Sequence, residues 1–414
     1  MDKVDKAVLE EEPPFTNRCS QEKEGLEMEK LNSSTIIVEP FLSGSHAQLC
    51  ETLKQAPTTC KVVGWPGTAK WHWRMLVSAS YFAHEITKDD GEKVETIIFS
   101  AMMNVSELLG LRPDLTKAKK ILYFHENQLE YPRQSSNAKQ SIGQSAFNLG
   151  WNQIVSCLCV DEIVFNSTYN MESFFKLIPS FLNKIPSKNR PPAIDISMLR
   201  SKAKVLGVPI TVKLQCRAIL SSMDVRREPL RVVWPHRFEH DKGCEEWIST
   251  LEEFSQLDDH HVIEVYILGE TTASGQDAAD KARSKVQSLS NVHIKQWGRV
   301  ESRQDYIDLL CQMDVAVSTA RHEFYGIAML EAATCGCLPL CPNRLSYPEL
   351  FPSDCLYRTQ RQLVKRLRDF ATRPDLPGKK MTDPAWTERL AKFQWNEGKG
   401  ELAHRWGLLT KNST

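Results

Sequence analysis

Two glutamates, Glu323 and Glu331, flank a glycine in the run Ser318-Thr-Ala-Arg-His-Glu-Phe-Tyr-Gly-Ile-Ala-Met-Leu-Glu331. A buried-strand pattern ends at Ser318, a polar loop carries Glu323, Gly326 permits a tight turn, and a helical pattern runs on through Glu331. A loop carboxylate at Glu323 can hold sugar hydroxyls, and Glu331, about a turn inside the helix, can accept from a ribose diol. The helix start between them offers unpaired N–H groups and a partial positive charge, which suit a diphosphate. Arg237 and Lys242 lie five residues apart in Trp234-Pro-His-Arg-Phe-Glu-His-Asp-Lys242, directly after another strand. A planar fork of donors beside a point charge suits two phosphates. Such contacts strengthen as charge builds on a leaving group. His125, in Tyr123-Phe-His-Glu-Asn-Gln128, follows the end of a third strand, where it can orient and polarise a reacting group. Each residue alone also reads blandly, as a solvated Glu, a routine helix Glu or a structural His. The argument lies in their combination.

One competing pattern is His236-Arg-Phe-Glu-His240, a zinc-peptidase spacing that needs a helix to bring both His onto one face. It follows a strand and Pro235 directly, so a loop is expected and no zinc site is assigned. No Asp-x-Asp pattern occurs where a diphosphate would sit, and a metal-independent site without a cofactor is expected.

The elements that must place these residues alternate strand and helix, the pattern of a parallel α/β sheet. One series of strands is predicted at Thr35–Val38, Thr96–Phe99, Lys120–Phe124 and Glu162–Phe165. A second follows at Leu230–Trp234, Val262–Leu268, Val292–Trp297, Val315–Ser318 and Leu338–Cys341. The expected organisation is a disordered polar tail over 1–33, a doubly wound acceptor-side domain over 34–214 and a linker over 215–228. A doubly wound donor-binding domain over 229–375 follows, then a C-terminal segment over 376–414 with a helix returning to the first domain. Ligands of such folds sit outside the carboxyl ends of the strands, here in a cleft between the two domains.

The 414 residues are enough for two cores, and 41% hydrophobic with 25% charged residues is ordinary globular composition. Lys plus Arg and Asp plus Glu both total 52, so no global field draws the chain to nucleic acid or membrane. The 12 Cys show no secreted framework; Cys157, Cys159, Cys335, Cys337 and Cys341 lie in apolar runs and read as reduced, packed thiols. The acidic start lacks a signal-peptide core, and no apolar run is long enough to span a bilayer. A soluble, cytoplasmic or also nuclear, protein is expected.

The Glu323–Glu331 motif, with the following Glu-Ala-Ala-Thr-Cys-Gly-Cys-Leu-Pro-Leu340, resembles the Glu-x7-Glu signature of retaining glycosyltransferases of the GT-B fold. That resemblance implies that Arg237 and Lys242 neutralise the leaving diphosphate, that His125 approaches the transferred sugar, and that Glu349 is the acidic residue after a loop. It also implies backbone contacts of Gly44 with the phosphates and of Gly298 with the nucleobase. Ser43 stands where relatives have a second glycine. Lys70-Trp-His-Trp-Arg74, Ile121-Leu-Tyr-Phe-His-Glu-Asn-Gln-Leu129 and Trp234 to Lys242 are more closely similar to the tRNA-queuosine α-mannosyltransferase family over about residues 34–410. The resemblance implies GDP-mannose as donor and queuosine at the wobble position of tRNA-Asp as acceptor. Trp71, His72, Trp73 and Arg74, with Asn127 and Gln128, are then acceptor-side candidates, since stacking faces and donors hold unstacked bases. The alternative for the two Trp is core packing. Alternative activities are transfer to a protein, lipid or glycan, a GT-B epimerase or hydrolase, and a silent binding protein.

Overall fold

The computed structural model describes residues 35–55, 60–67, 71–130, 141–191, 194–212, 229–257, 261–269, 271, 276–395 and 400–410. The polar tail and the linker over 215–228 lie outside the described residues.

Runs of Ile, Val, Leu and Phe that are apolar at consecutive positions must be buried on both faces, and parallel strands between helix layers provide that. In the first half the strands are β1 Thr35–Leu42, β2 Cys60–Pro66, β3 Thr96–Ser100, β4 Lys119–Phe124, β5 Glu162–Phe165 and β6 Ala203–Val205. They form one parallel sheet in the order β2-β1-β3-β4-β5-β6. In the second half they are β7 Leu230–Trp234, β8 Ile263–Leu268, β9 Val292–Gly298, β10 Val315–Val317, β11 Leu338–Pro342 and β12 Leu356–Tyr357. These also pair in parallel, in the order β9-β8-β7-β10-β11-β12. The strand order reverses between β1 and β3 in one sheet and between β7 and β10 in the other, and each reversal opens a crevice at the carboxyl ends.

Three strands escaped sequence reading: β2, β6 and β12. All are sheet edges. β2 is half-buried along its length and contains Gly64 and Pro66, and the other two have only three and two residues, so none shows a continuous apolar run. Before β6 the chain forms one further short helix, Ile196–Ser201.

The two sheets are tied together by buried contacts. Tyr325 donates its hydroxyl to the Val208 carbonyl at 2.9 Å, and a Cβ on Gly207 would lie 2.4 Å from that hydroxyl oxygen. Ser167 donates to the Phe324 carbonyl at 2.5 Å. The last helix, Glu401–Thr410, returns to the first sheet. There Trp406 packs against Tyr123 at 5.4 Å and donates to the Gly207 carbonyl, and Lys119 donates to the Leu409 carbonyl. No helix among the described residues is long and apolar enough to cross a membrane. Cys157, Cys335, Cys337 and Cys341 are buried, and burial pushes the thiols of Cys157, Cys337 and Cys341 up.

Candidate active site

The loops after β7 and β10 are stitched together. Arg321 and His322 donate their backbone N–H groups to the Asp241 carbonyl at 2.8 and 3.0 Å. Thr319 donates its hydroxyl to the Gly243 carbonyl at 2.8 Å and accepts from the Trp234 indole at 3.0 Å. The loops pass so close that a Cβ on Gly243, which has φ +68°, would meet the Thr319 carbonyl oxygen at 2.2 Å. Residues 235–239 are irregular and His240–Lys242 form a short 3-10 turn, so the His-x-x-Glu-His spacing is not helical.

This junction gathers charge. Lys242 Nζ lies 3.2 Å from Asp241 Oδ2, 3.5 Å from Glu323 Oε2 and 3.2 Å from the His322 carbonyl. Burial works against its charge, but Glu323 and Asp241 outweigh it and lift the ammonium above its ordinary value. Arg237, 54% exposed, reaches Glu239 at 3.3 Å and keeps most of its donors toward solvent. Glu323 is fixed from behind: its Oε1 accepts the N–H groups of Tyr325 at 3.3 Å and Gly326 at 3.0 Å. Gly326, at φ +93°, opens the helix Ile327–Thr334. Glu331 lies inside that helix, 3% exposed, with both carboxylate oxygens held by Arg303. Arg303 was not found by sequence reading. It comes from the helix after β9, with its guanidinium over the Tyr306 ring. Gly298 ends β9 at φ +100° with open space where a side chain would be.

The facing wall comes from the first sheet. Gly44, at φ +52° and with open space beside it, begins the helix after β1. His125 ends β4. Its ring stacks on His46 with centroids 3.7 Å apart and planes 20° apart, and its carbonyl accepts from Asn166 at 2.7 Å. Burial first, then the His46 charge, hold His125 well below the ordinary imidazole value. Glu126 feels His46 on its own side and Lys242, Arg237 and Asp241 from the other domain, so the two walls share one electrostatic environment. Burial, with Asp241 adding to it, raises its carboxyl against the cations His46, Lys242 and Arg237. Sequence reading assigned no role to Glu126, Glu39 or His46.

Three acceptor-side candidates turn inward. Asn127 is fully buried and donates to Asn170 Oδ1 at 2.9 Å and Ser173 Oγ at 3.0 Å. Gln128 is buried and donates to Glu126 Oε1 at 2.9 Å. The Arg74 guanidinium spends its donors on the carbonyls of Pro40, Trp65, Pro66 and Gly67. These three build the wall rather than present donors from it. Trp71 and Trp73 are 47% and 62% exposed, so neither fills the core. The side chain of His72 lies outside the described residues.

Among the described residues, Glu39, His46 and His125 bring potential ligand atoms within 4.8 Å of one another. An imidazole binds a metal at about 2 Å in its own ring plane. Two nearly parallel rings stacked 3.7 Å apart cannot aim lone pairs at one ion, so this arrangement fits an ion pair beside a stacked ring.

Comparison with known proteins agrees on both halves. Residues 34–210 match the family described as "tRNA-queuosine alpha-mannosyltransferase N-terminal", and residues 222–354 match "Glycosyl transferases group 1". A Drosophila melanogaster protein named tRNA-queuosine alpha-mannosyltransferase is 36% identical over 351 residues, 82% of this chain and 87% of that protein. Among solved structures, sucrose-phosphate synthase from Thermosynechococcus elongatus has a TM-score of 0.62 at 15% identity, covering 91% of this chain and 98% of the other. Anabaena HepE bound to UDP has a TM-score of 0.60 at 12% identity, covering 91% and 99%. At such identities these structures speak for the GT-B fold alone.

Proposed function

The chain belongs to the tRNA-queuosine alpha-mannosyltransferase family and is a glycosyltransferase, and from that premise we propose that it transfers mannose from GDP-mannose to queuosine at the wobble position of tRNA-Asp. The observation that carries the reading is the junction of Arg237 and Lys242 after β7 with Glu323 after β10, opposite His125. Two cations beside a strand-end crevice suit a departing diphosphate, and a carboxylate fixed by two backbone amides suits sugar hydroxyls. Glu331 keeps unused lone pairs beside Arg303 for a ribose diol.

The reaction is retaining. An acceptor hydroxyl oxygen bonds to the anomeric carbon as the bond from that carbon to the β-phosphate oxygen breaks. The hydroxyl proton passes to the departing phosphate, and GDP leaves. Lys242 and Arg237 neutralise the charge that develops there, so the step needs no metal. Closure of the two domains excludes water that would otherwise hydrolyse the donor. The site of action is the cytoplasm, and the nucleus where the tRNA is there.

The test is transfer of labelled mannose from GDP-mannose to purified tRNA-Asp with and without queuosine, with excess chelator in a parallel reaction. Nucleoside mass spectrometry should find a hexose on queuosine alone, undiminished by chelator. Label on tRNA lacking queuosine, or none on either, would overturn the acceptor assignment. Chelator-sensitive transfer would overturn metal independence.

A further inference from the structure

Glu39 is a buried carboxylate on β1, a strand that lies between two others and is otherwise apolar over Ile36–Val38 and Phe41. Packing asks for no charge at that position, and a buried charge is costly unless it is paired. Glu39 is paired on both oxygens. Oε1 accepts the Phe41 N–H at 2.9 Å, and Oε2 lies 3.0 Å from His46 Nδ1, a charge contact rather than an aligned hydrogen bond. His46 stands in the first turn of the helix Gly44–Lys54, and its other face covers the His125 ring at 3.7 Å. The edge of Tyr123 meets His125 at 4.8 Å, and His125 Nδ1 is buried without a hydrogen-bond partner. His125 therefore has no hydrogen bond at Nδ1 to fix its rotation. Only packing does so, and the main packing surface is His46.

We propose that Glu39 and His46 are positioning residues for sugar transfer: Glu39 clamps His46, and the clamped ring holds His125 by its face so that His125 meets the transferred sugar in one orientation. This rests on reading the cleft as a sugar-transfer site. The ionisable groups facing His46 are Glu39 from β1 and His125 and Glu126 from the end of β4, while Cys50 on the same helix faces Glu39. Burial works against charge on His46, but Glu39 and then Glu126 outweigh it and lift the ring above its ordinary value. A proton on the stacked pair therefore favours His46 over His125. His125 keeps one N–H to donate and one lone pair. No proton is transferred between the rings.

The experiment compares the full chain with Glu39→Gln, His46→Phe and His46→Ala. Phe keeps a flat ring against His125 without the charge, and Ala removes both. Imidazole nitrogen NMR across pH reports the protonation of His125 directly, and steady-state transfer separates kcat from donor KM. The expected result for Glu39→Gln is a kcat lower by about tenfold or more at a donor KM within about twofold, the mark of lost orientation rather than lost binding. His125 should then titrate at higher pH than in the unaltered protein. His46→Phe should release the same titration and lose less kcat than His46→Ala. The proposal falls if the His125 resonances titrate in both Glu39→Gln and His46→Phe just as they do in the unaltered protein, or if kcat is unchanged in both. Should Glu39→Gln not fold, His46→Phe decides. If the unaltered protein transfers no sugar to tRNA, the functional reading fails by itself, while the His125 titration still decides whether the clamp exists.

Discussion

The two walls of the cleft are built on opposite principles. The donor-side wall is made of charge: Lys242 among Asp241 and Glu323, Arg237 in solvent, and Glu331 in a two-point grip with Arg303. The facing wall is made of packing and neutral hydrogen bonds: Asn127 bonded to Asn170 and Ser173, Gln128 to Glu126, Arg74 to four carbonyls, and His125 held by ring faces. A wall that must stabilise a departing diphosphate needs charges that respond to the reaction. A wall that must orient a sugar and its acceptor needs side chains with no freedom left. Substitutions on the first should therefore damage kcat with little loss of fold, whereas on the second a lost contact should cost orientation, and fold as well where it opens a buried hydrogen bond.

The largest effect expected is that of Lys242→Met. It keeps much of the stem and removes the cation that faces Glu323. Losing one charge-stabilising donor at a transition state costs about 10²- to 10³-fold in rate. A kcat loss of that size with a melting temperature within a few degrees would bear out the division. A tenfold effect or less would place the leaving-group charge elsewhere, with Arg237 the next residue to replace.

Gly243→Ala comes next and attacks the scaffold of the charged wall rather than its charge. The backbone is left-handed there, and the new Cβ would press on the Thr319 carbonyl at 2.2 Å. The left-handed conformation alone costs an L-residue about 1–2 kcal/mol, and the clash adds to it. Denaturant unfolding should show a loss of about 2 kcal/mol or more. An unchanged midpoint would mean that the two loops separate without cost, and that the junction is looser than its hydrogen bonds imply.

Each wall also buries a histidine, which makes the pair sensitive to acid. His236, behind the phosphate-side loop, is held down to about 3 by burial, with Lys242 adding to it, while an unfolded chain titrates near 6.5. Between those values the unfolded state binds the proton and the folded state does not. The stability contributed is therefore whole above about 6.5 and drains away as pH falls toward about 3. One such site gives a slope of up to about 1.4 kcal/mol per pH unit. His236→Gln should flatten the stability curve below pH about 6 by nearly that slope relative to the unaltered protein. Curves that stay parallel would show that His236 reaches water in the folded state.

How much of this was legible in sequence follows the same divide. The strand ends that carry Arg237, Lys242, Glu323 and His125 could be placed because inner parallel strands announce themselves as continuous apolar runs. The edge strands β2, β6 and β12 could not, since half-buried or two- to three-residue strands have no such signature. Gly326 marked its turn locally. Partners were invisible: Arg303 reaches Glu331 from 28 residues away in the chain, and nothing near either residue says so. Asn127 and Gln128 read as donors at a strand end, but their direction is set by Asn170, Ser173 and Glu126. Glu39 did leave a signal, a lone carboxylate inside a β-branched strand seven residues before a histidine. It becomes meaningful only once the strand and helix are seen to face each other.

The smallest effect expected lies between the walls. The helix Thr168–Leu182 belongs to the first domain, yet its N-terminus is capped from the second: Glu349 accepts the Thr168 N–H at 2.8 Å and the Tyr169 N–H at 2.6 Å. Its own cap, Ser167, accepts from Asn170 and donates across to Phe324. Glu349 thus gains from the helix dipole only while the domains stay together, so its contribution counts toward closure rather than toward either core. Glu349→Gln keeps one carbonyl oxygen but loses the charge and one of the two acceptors, a change worth about 1 kcal/mol by the scale of helix caps. Such a shift is too small to unfold either sheet. It should appear as roughly fivefold faster hydrogen exchange at the amides of Thr168 and Tyr169, while exchange in β7 to β12 stays as it was. Faster exchange throughout the second domain would mean that Glu349 supports its own fold. Unchanged exchange at both amides would mean that Glu349 adds nothing to the ties made by Tyr325, Ser167 and the returning C-terminal helix.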